Sequence, residues 1–157
     1  MWEPSTKKLT VVNFDSACCA DCGAACGRAE FTNGLVAPQL ALKNMMSTHI
    51  SDWQNSDVFA VGAILYSLVA SRELKRLIHP NGIFVYRMKQ MQQRIPASYQ
   101  WSLEKEALWF EQCVEFMELE NNEEVDLVEF LTRTDDRVTL EQARALVANW
   151  RPTSSVV

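Results

Sequence analysis

The densest apolar pattern in the chain lies between Ser56 and Ala70. Val58, Phe59, Val61, Ile64, Leu65, Leu68 and Val69 cover most of a helical circumference there. An all-round apolar helix is expected to be buried on all sides. Asp57 stands at its predicted entry, where a carboxylate can accept bonds from the first free N–H groups. Gly62 falls mid-helix, at a cost of about 1 kcal/mol relative to Ala. It therefore predicts close approach by another backbone.

Around this segment the periodicity changes. Leu9 and Val11 alternate, followed by Val12 and Phe14, so Lys8 to Phe14 reads as a short strand. Asp15 to Gly34 has no sustained period and reads as a long loop. Pro38 suits the first turn of a short helix that ends before Ser47. His79-Pro80-Asn81-Gly82 signals a turn. Val85, Met88 and Met91, three apart, predict a helix over Phe84 to Gln93 that Ile95-Pro96 ends. Leu108, Cys113, Phe116 and Met117 oppose Glu104, Glu111, Glu115 and Glu118 on a helix from Leu103 to Leu119. Short helices follow over Val125 to Thr132 and Thr139 to Trp150. In the last of these Thr139 and Gln142 match a capping box. Trp109 and Phe110, with Trp101, are expected to fill gaps between neighbouring helices. The expected fold is mainly α: about six helices and one short strand in a single domain over 1–157, with a frayed tail at 151–157.

Composition narrows the class. Hydrophobic residues are 48% and charged residues 22% of the 157, the balance of a chain that folds. The formal net charge is −5, and no Lys/Arg stripe interleaved with aromatics occurs, which disfavours nucleic acid. The longest apolar stretch, Val58 to Ala70, is too short to span a bilayer and contains Tyr66 and Ser67. With no apolar signal core after Met1, the expected location is cytoplasm or nucleus. The acidic positions from Glu111 to Glu129 read as a solvated helix face, with a docking surface for a basic partner as the alternative.

Of five cysteines, Cys18, Cys19, Cys22 and Cys26 cluster within nine residues. An odd count without a signal peptide argues against a disulfide framework. Structural zinc sites generally pair two short Cys/His couples from separate segments. The four are read as reduced thiols in a loop, with metal ligation as the alternative. Thr32, His49 and His79 carry no partner pattern and are read as loop or turn residues.

Four stretches, in this order, resemble the C-terminal lobe of eukaryotic protein kinases, from about Lys7 to Trp150. Lys8 to Ala17, with Asn13-Phe14-Asp15, is similar to the strand and metal-binding motif that usually reads Asp-Phe-Gly. Val36-Ala37-Pro38-Gln39 resembles the Ala-Pro-Glu motif closing the activation segment. Ser56-Asp57-Val58-Phe59-Ala60-Val61-Gly62 through Tyr66 resembles the central buried helix, whose family pattern is Ser-Asp-Val-Trp-x-x-Gly-x-x-Leu-Tyr. Asp136-Arg137-Val138-Thr139 is similar to the start of the last helix.

The departures imply loss of catalysis. Asn13 stands where the resemblance places a metal-binding Asp, and a neutral amide is a poorer partner for Mg²⁺ than a carboxylate. Asp15 stands where Gly belongs. The Gly-rich loop, the nucleotide Lys with its Glu, and the His-Arg-Asp loop would all precede Asn13, and only twelve residues do. No phosphoryl transfer and no cofactor are expected; ATP and Mg²⁺ enter only if another segment supplies the absent half. Gln39 replaces the Glu that would pair with Arg137. Loss of one partner of a buried ion pair costs roughly 3–5 kcal/mol, part of which an amide can offset.

The resemblance also implies that a helix preceding the catalytic loop should cover part of the central helix. Without it, apolar surface is expected to be exposed there, and Asp57 to lack its usual backbone partner. Two functions follow. One is an inactive kinase-like module that docks on another protein, such as a kinase. The other is the C-terminal part of a serine/threonine kinase whose ATP-binding half lies elsewhere.

Overall fold

The computed structural model describes residues 1–12, 17, 34–42, 50–73, 80–91, 103–119, 123–134 and 138–150. Among them the chain is mainly helical. Two very short strands, β1 (Trp2–Glu3) and β2 (Lys8–Leu9), precede six helices: α1 (Pro38–Leu42), α2 (Ile50–Glu73), α3 (Asn81–Gln90), α4 (Leu103–Met117), α5 (Glu123–Leu131) and α6 (Leu140–Asn149). The chain divides into two units, Met1–Phe31 and Thr32–Val157.

In the first unit β1 and β2 form an antiparallel hairpin with Trp2 opposite Leu9 and Glu3 opposite Lys8. The Thr10 N–H donates to the Met1 carbonyl (2.8 Å). Lys7 takes the left-handed conformation (φ 53°) in the turn, and the Thr6 hydroxyl donates to Glu3 Oε2 (2.6 Å). The strand expected over Lys8 to Phe14 is thus two residues long, because its described partner is no longer than that. Thr10 stays hydrogen-bonded to Met1, Val11 and Val12 lie beyond the pairing, and residues 13 and 14 lie outside the described set.

In the second unit α2 is the axis. It extends six residues further toward the N-terminus than its apolar run. Ile50 to Asn55 contain no Gly or Pro to break a helix, and Trp53 packs on the core. Asp57 is therefore not at the entry of α2 but about two turns inside it, where backbone N–H groups already have helical partners. The inner side of α2 carries Phe59, Ala63, Tyr66, Val69 and Ala70 into the main core. There they meet Leu40 of α1, Ile83 of α3, Cys113 and Phe116 of α4, and Val125 and Val128 of α5. The Tyr66 and Phe116 rings meet edge to face at 5.1 Å. A smaller cluster joins Val58 to Leu127, Leu131, Val138 and Ala143.

Two glycines set the spacing. A Cβ on Gly62 would lie 2.6 Å from Thr132 Cγ2 and 2.9 Å from Leu131 Cβ, so its bareness lets α2 and α5 approach. The expected close approach is thus present. Gly34 has φ +84°, and a Cβ there would overlap Asn81 at the start of α3. α3 begins at Asn81, three residues before its expected start. Pro80, at φ −50°, is already shaped for a helix entry, so the turn signal runs directly into the helix. At α6 the capping box forms in full: Gln142 N–H donates to Thr139 Oγ1 (3.1 Å), and Thr139 N–H donates to Gln142 Oε1 (2.9 Å). Phe110 of α4 stacks on Tyr86 of α3 (6.1 Å), filling an interhelical gap as its type predicted.

Candidate functional site

Core formation uses one side of α2 and leaves another to solvent. Val61, Ile64 and Leu68 are 52%, 48% and 67% exposed. Their spacing of three and four residues places them on one stripe, which Asp57 extends by one turn. The stripe from Asp57 to Leu68 is about 16 Å long at helical rise. Burial on all sides, expected from the apolar pattern alone, does not occur. The exposed apolar surface expected on this helix does.

The stripe is held by a well-anchored scaffold. Ser56, buried one residue before Asp57, accepts the Ala37 N–H on its hydroxyl (3.0 Å). This bond fastens Val36, Ala37 and Pro38, all buried, onto α2. Two of the sequence motifs therefore meet in space. Gln39 follows them half-buried, and among the described residues no donor reaches its Oε1. Asp57 is exposed and has no hydrogen-bond partner among the described residues, yet partial desolvation by the surrounding protein raises its carboxyl above the usual range. The stripe thus offers aliphatic area and one carboxylate.

Arg87 escapes the sequence patterns. It lies on α3 beside Met88 and is only 4% exposed. Its Nε and Nη2 donate to Thr132 Oγ1 (3.2 and 3.1 Å), Nη2 also donates to the Glu129 carbonyl (2.8 Å), and Nη1 donates to Gln90 Oε1 (2.6 Å). The guanidinium closes the C-terminal end of α5, where carbonyls lack helical partners and the helix dipole favours a cation. No sequence signal marks it, since a lone Arg between apolar positions ordinarily faces water.

Cys113 is fully buried against Tyr66. Its thiol is pushed up to about 12, chiefly by burial, while the Tyr66 hydroxyl and the Arg87 charge pull it down. The contact with Tyr66 is a weak sulfur one, without the geometry of a full hydrogen bond. Burial likewise raises the Tyr66 phenol. A thiol held neutral is inert. Mass mapping after brief alkylation of the native protein at pH 8 should find Cys113 unmodified, and modified once urea is added; rapid native labelling would contradict its burial. The unfolded thiol, with its ordinary value near 9.0, loses its proton first. This contribution to stability is therefore complete below pH 9 and declines as pH rises toward 12.

The remaining predicted positions, Asn13, Phe14, Asp15, Cys18, Cys19, Cys22, Cys26 and Arg137, lie outside the described residues, as do Thr32, His49, His79 and Trp101. Among the described residues no group of three His, Cys, Asp or Glu side chains is placed to hold a metal ion, and no helix is long and apolar enough to cross a membrane. Comparison of the chain with protein-family models, with curated proteins and with solved structures finds no match.

Proposed function

We propose that this chain is a catalytically inactive, protein-kinase-like C-lobe module that docks through the exposed face of α2 onto an amphipathic helix of another protein, such as a kinase. The observation that carries this reading is the stripe of Val61, Ile64 and Leu68, which lies open on α2, the longest helix among the described residues. Positions spaced three and four apart form the seam that helix-on-helix packing uses. Contiguous apolar surface of this kind marks interaction sites. The resemblance supports the choice of a helix as the occupant, since it implies one at this face. The Ser56 bond to Ala37 and the close approach at Gly62 supply a rigid platform.

Sedimentation velocity across the micromolar range tests the proposal. The chain alone should self-associate through the uncovered stripe, and I64K/L68K should be monomeric. Because both side chains already face water, the double variant should keep its unfolding free energy to within about 1 kcal/mol. A wild-type chain that stays monodisperse and monomeric and unfolds cooperatively would overturn the reading. So would unfolding of I64K/L68K, which would place the stripe in the core. ATP with Mg²⁺ should leave the melting temperature unchanged. A rise would favour the other reading, part of a serine/threonine kinase, since ligands stabilise what they bind.

A further inference from the structure

A second surface stands apart from the α2 stripe. Between α5 and α6 runs an open groove of about 720 Å³. Its apolar lining includes Phe130 of α5, Leu146 of α6 and Trp150 just beyond α6, all partly exposed. Glu123, Asp126 and Glu129 line it from α5 at intervals of three residues. They spread over about 9 Å of helix. Besides these three carboxylates, the described lining holds one cation, Arg133, whose guanidinium sits over the Phe130 ring (5.9 Å).

Helix stability accounts for only part of this charge. Glu123 and Asp126 lie in the first turn of α5, where carboxylates favour the helix dipole. Glu129 lies in the last turn, where a carboxylate opposes it, and that turn contains no basic residue. The position of Glu129 therefore gains nothing from the α5 dipole, while it adds a third negative charge to the groove.

We infer that the groove between α5 and α6 receives a basic amphipathic segment of a partner protein. An aliphatic or aromatic anchor of that segment seats among Phe130, Leu146 and Trp150, and its flanking Lys or Arg side chains meet Glu123, Asp126 and Glu129. Charge complementarity selects a cationic segment over a neutral or acidic one, and the apolar floor selects an anchored segment over a plain polycation. The inference does not depend on the α2 stripe or on any kinase-like role. It assigns docking to one part of the acidic run that the sequence reads as a solvated face.

Three synthetic peptides test it on the intact chain, with binding followed by amide chemical shifts. The first is a helical peptide of leucines and lysines with one apolar and one basic face. The second replaces its lysines by glutamates, and the third replaces its leucines by serines at equal charge. The first should bind and shift the amides of Leu146 and Trp150. The second and third should bind at least tenfold more weakly. D126K/E129K should weaken the first peptide at least tenfold, whereas I64K/L68K should leave its affinity unchanged. Equal binding by the serine peptide would reduce the site to general charge attraction and overturn the inference. Unchanged binding to D126K/E129K, or shifts centred on α2, would overturn it as well.

Discussion

Replacing Arg87 by Met should lower the unfolding free energy by about 3 kcal/mol, since hydrogen bonds to charged groups contribute roughly 1.5–3 kcal/mol each and several are lost together. The Met chain fills comparable volume, so the loss reports the guanidinium and not a cavity. What disappears is the tie from α3 to the end of α5: the two bonds to Thr132 Oγ1 and the one to the Glu129 carbonyl. Thr132 keeps one partner, because its hydroxyl donates to the Val128 carbonyl (2.7 Å). The Glu129 carbonyl loses the guanidinium that closes the helix end. Arg87→Lys should recover only part of the loss, since an ammonium restores charge but not the planar fork that reaches both acceptors. Urea unfolding monitored by circular dichroism gives the comparison, with an unchanged slope showing that the folded state is still the same one. A Met variant as stable as the parent would mean that the buried bonds barely outweigh the cost of desolvating the charge.

Gly62→Ala should destabilise the helical unit by about 1–3 kcal/mol through overpacking, although Ala is ordinarily the better helix former by about 1 kcal/mol. The two effects oppose each other, and contact distance decides between them. The new methyl would stand 2.6 Å from Thr132 Cγ2 and 2.9 Å from Leu131 Cβ. Thr132 cannot swing its methyl aside cheaply, because its hydroxyl is bonded to both the Val128 carbonyl and Arg87. The Gly62 contact and the Arg87 network therefore share a residue. Thr132→Ser removes the obstructing methyl and keeps the hydroxyl. In the Gly62→Ala background it should be relatively favourable, with a coupling of about 0.5 kcal/mol or more in a double-mutant cycle. If Ala at position 62 raises the melting temperature, propensity has won and the close approach of α2 and α5 does not limit the fold.

Both predictions concern residues that a reading of the chain treats very differently. Gly62 is conspicuous, because a glycine inside a strongly apolar helix has no local justification and points to a neighbour. Arg87 is not, because nothing in Val85-Tyr86-Arg87-Met88 separates a buried guanidinium from one that extends to solvent. The difference is physical. A helix-breaking residue declares a cost at its own position, whereas a buried charge is compensated by acceptors at and just beyond the end of α5, more than forty residues away. The Ser56 bond to Ala37 is of the same kind: its two motifs are legible separately, but their meeting is not.

The sequence by itself determined the helical class, the existence and approximate place of six helices, the cap at Thr139 and the role of Gly62. These follow from interactions within a few residues: the 3.6-residue period, the free N–H groups of a first turn, and the absence of a side chain. The tertiary structure alone decided that α2 begins at Ile50 and carries Asp57 in its interior, that Arg87 closes α5, and that Val61, Ile64 and Leu68 face water. An apolar residue records that it can be buried, not that a neighbour exists to bury it. On α2 the helices of the second unit cover one side, and the pattern along the chain is the same on both.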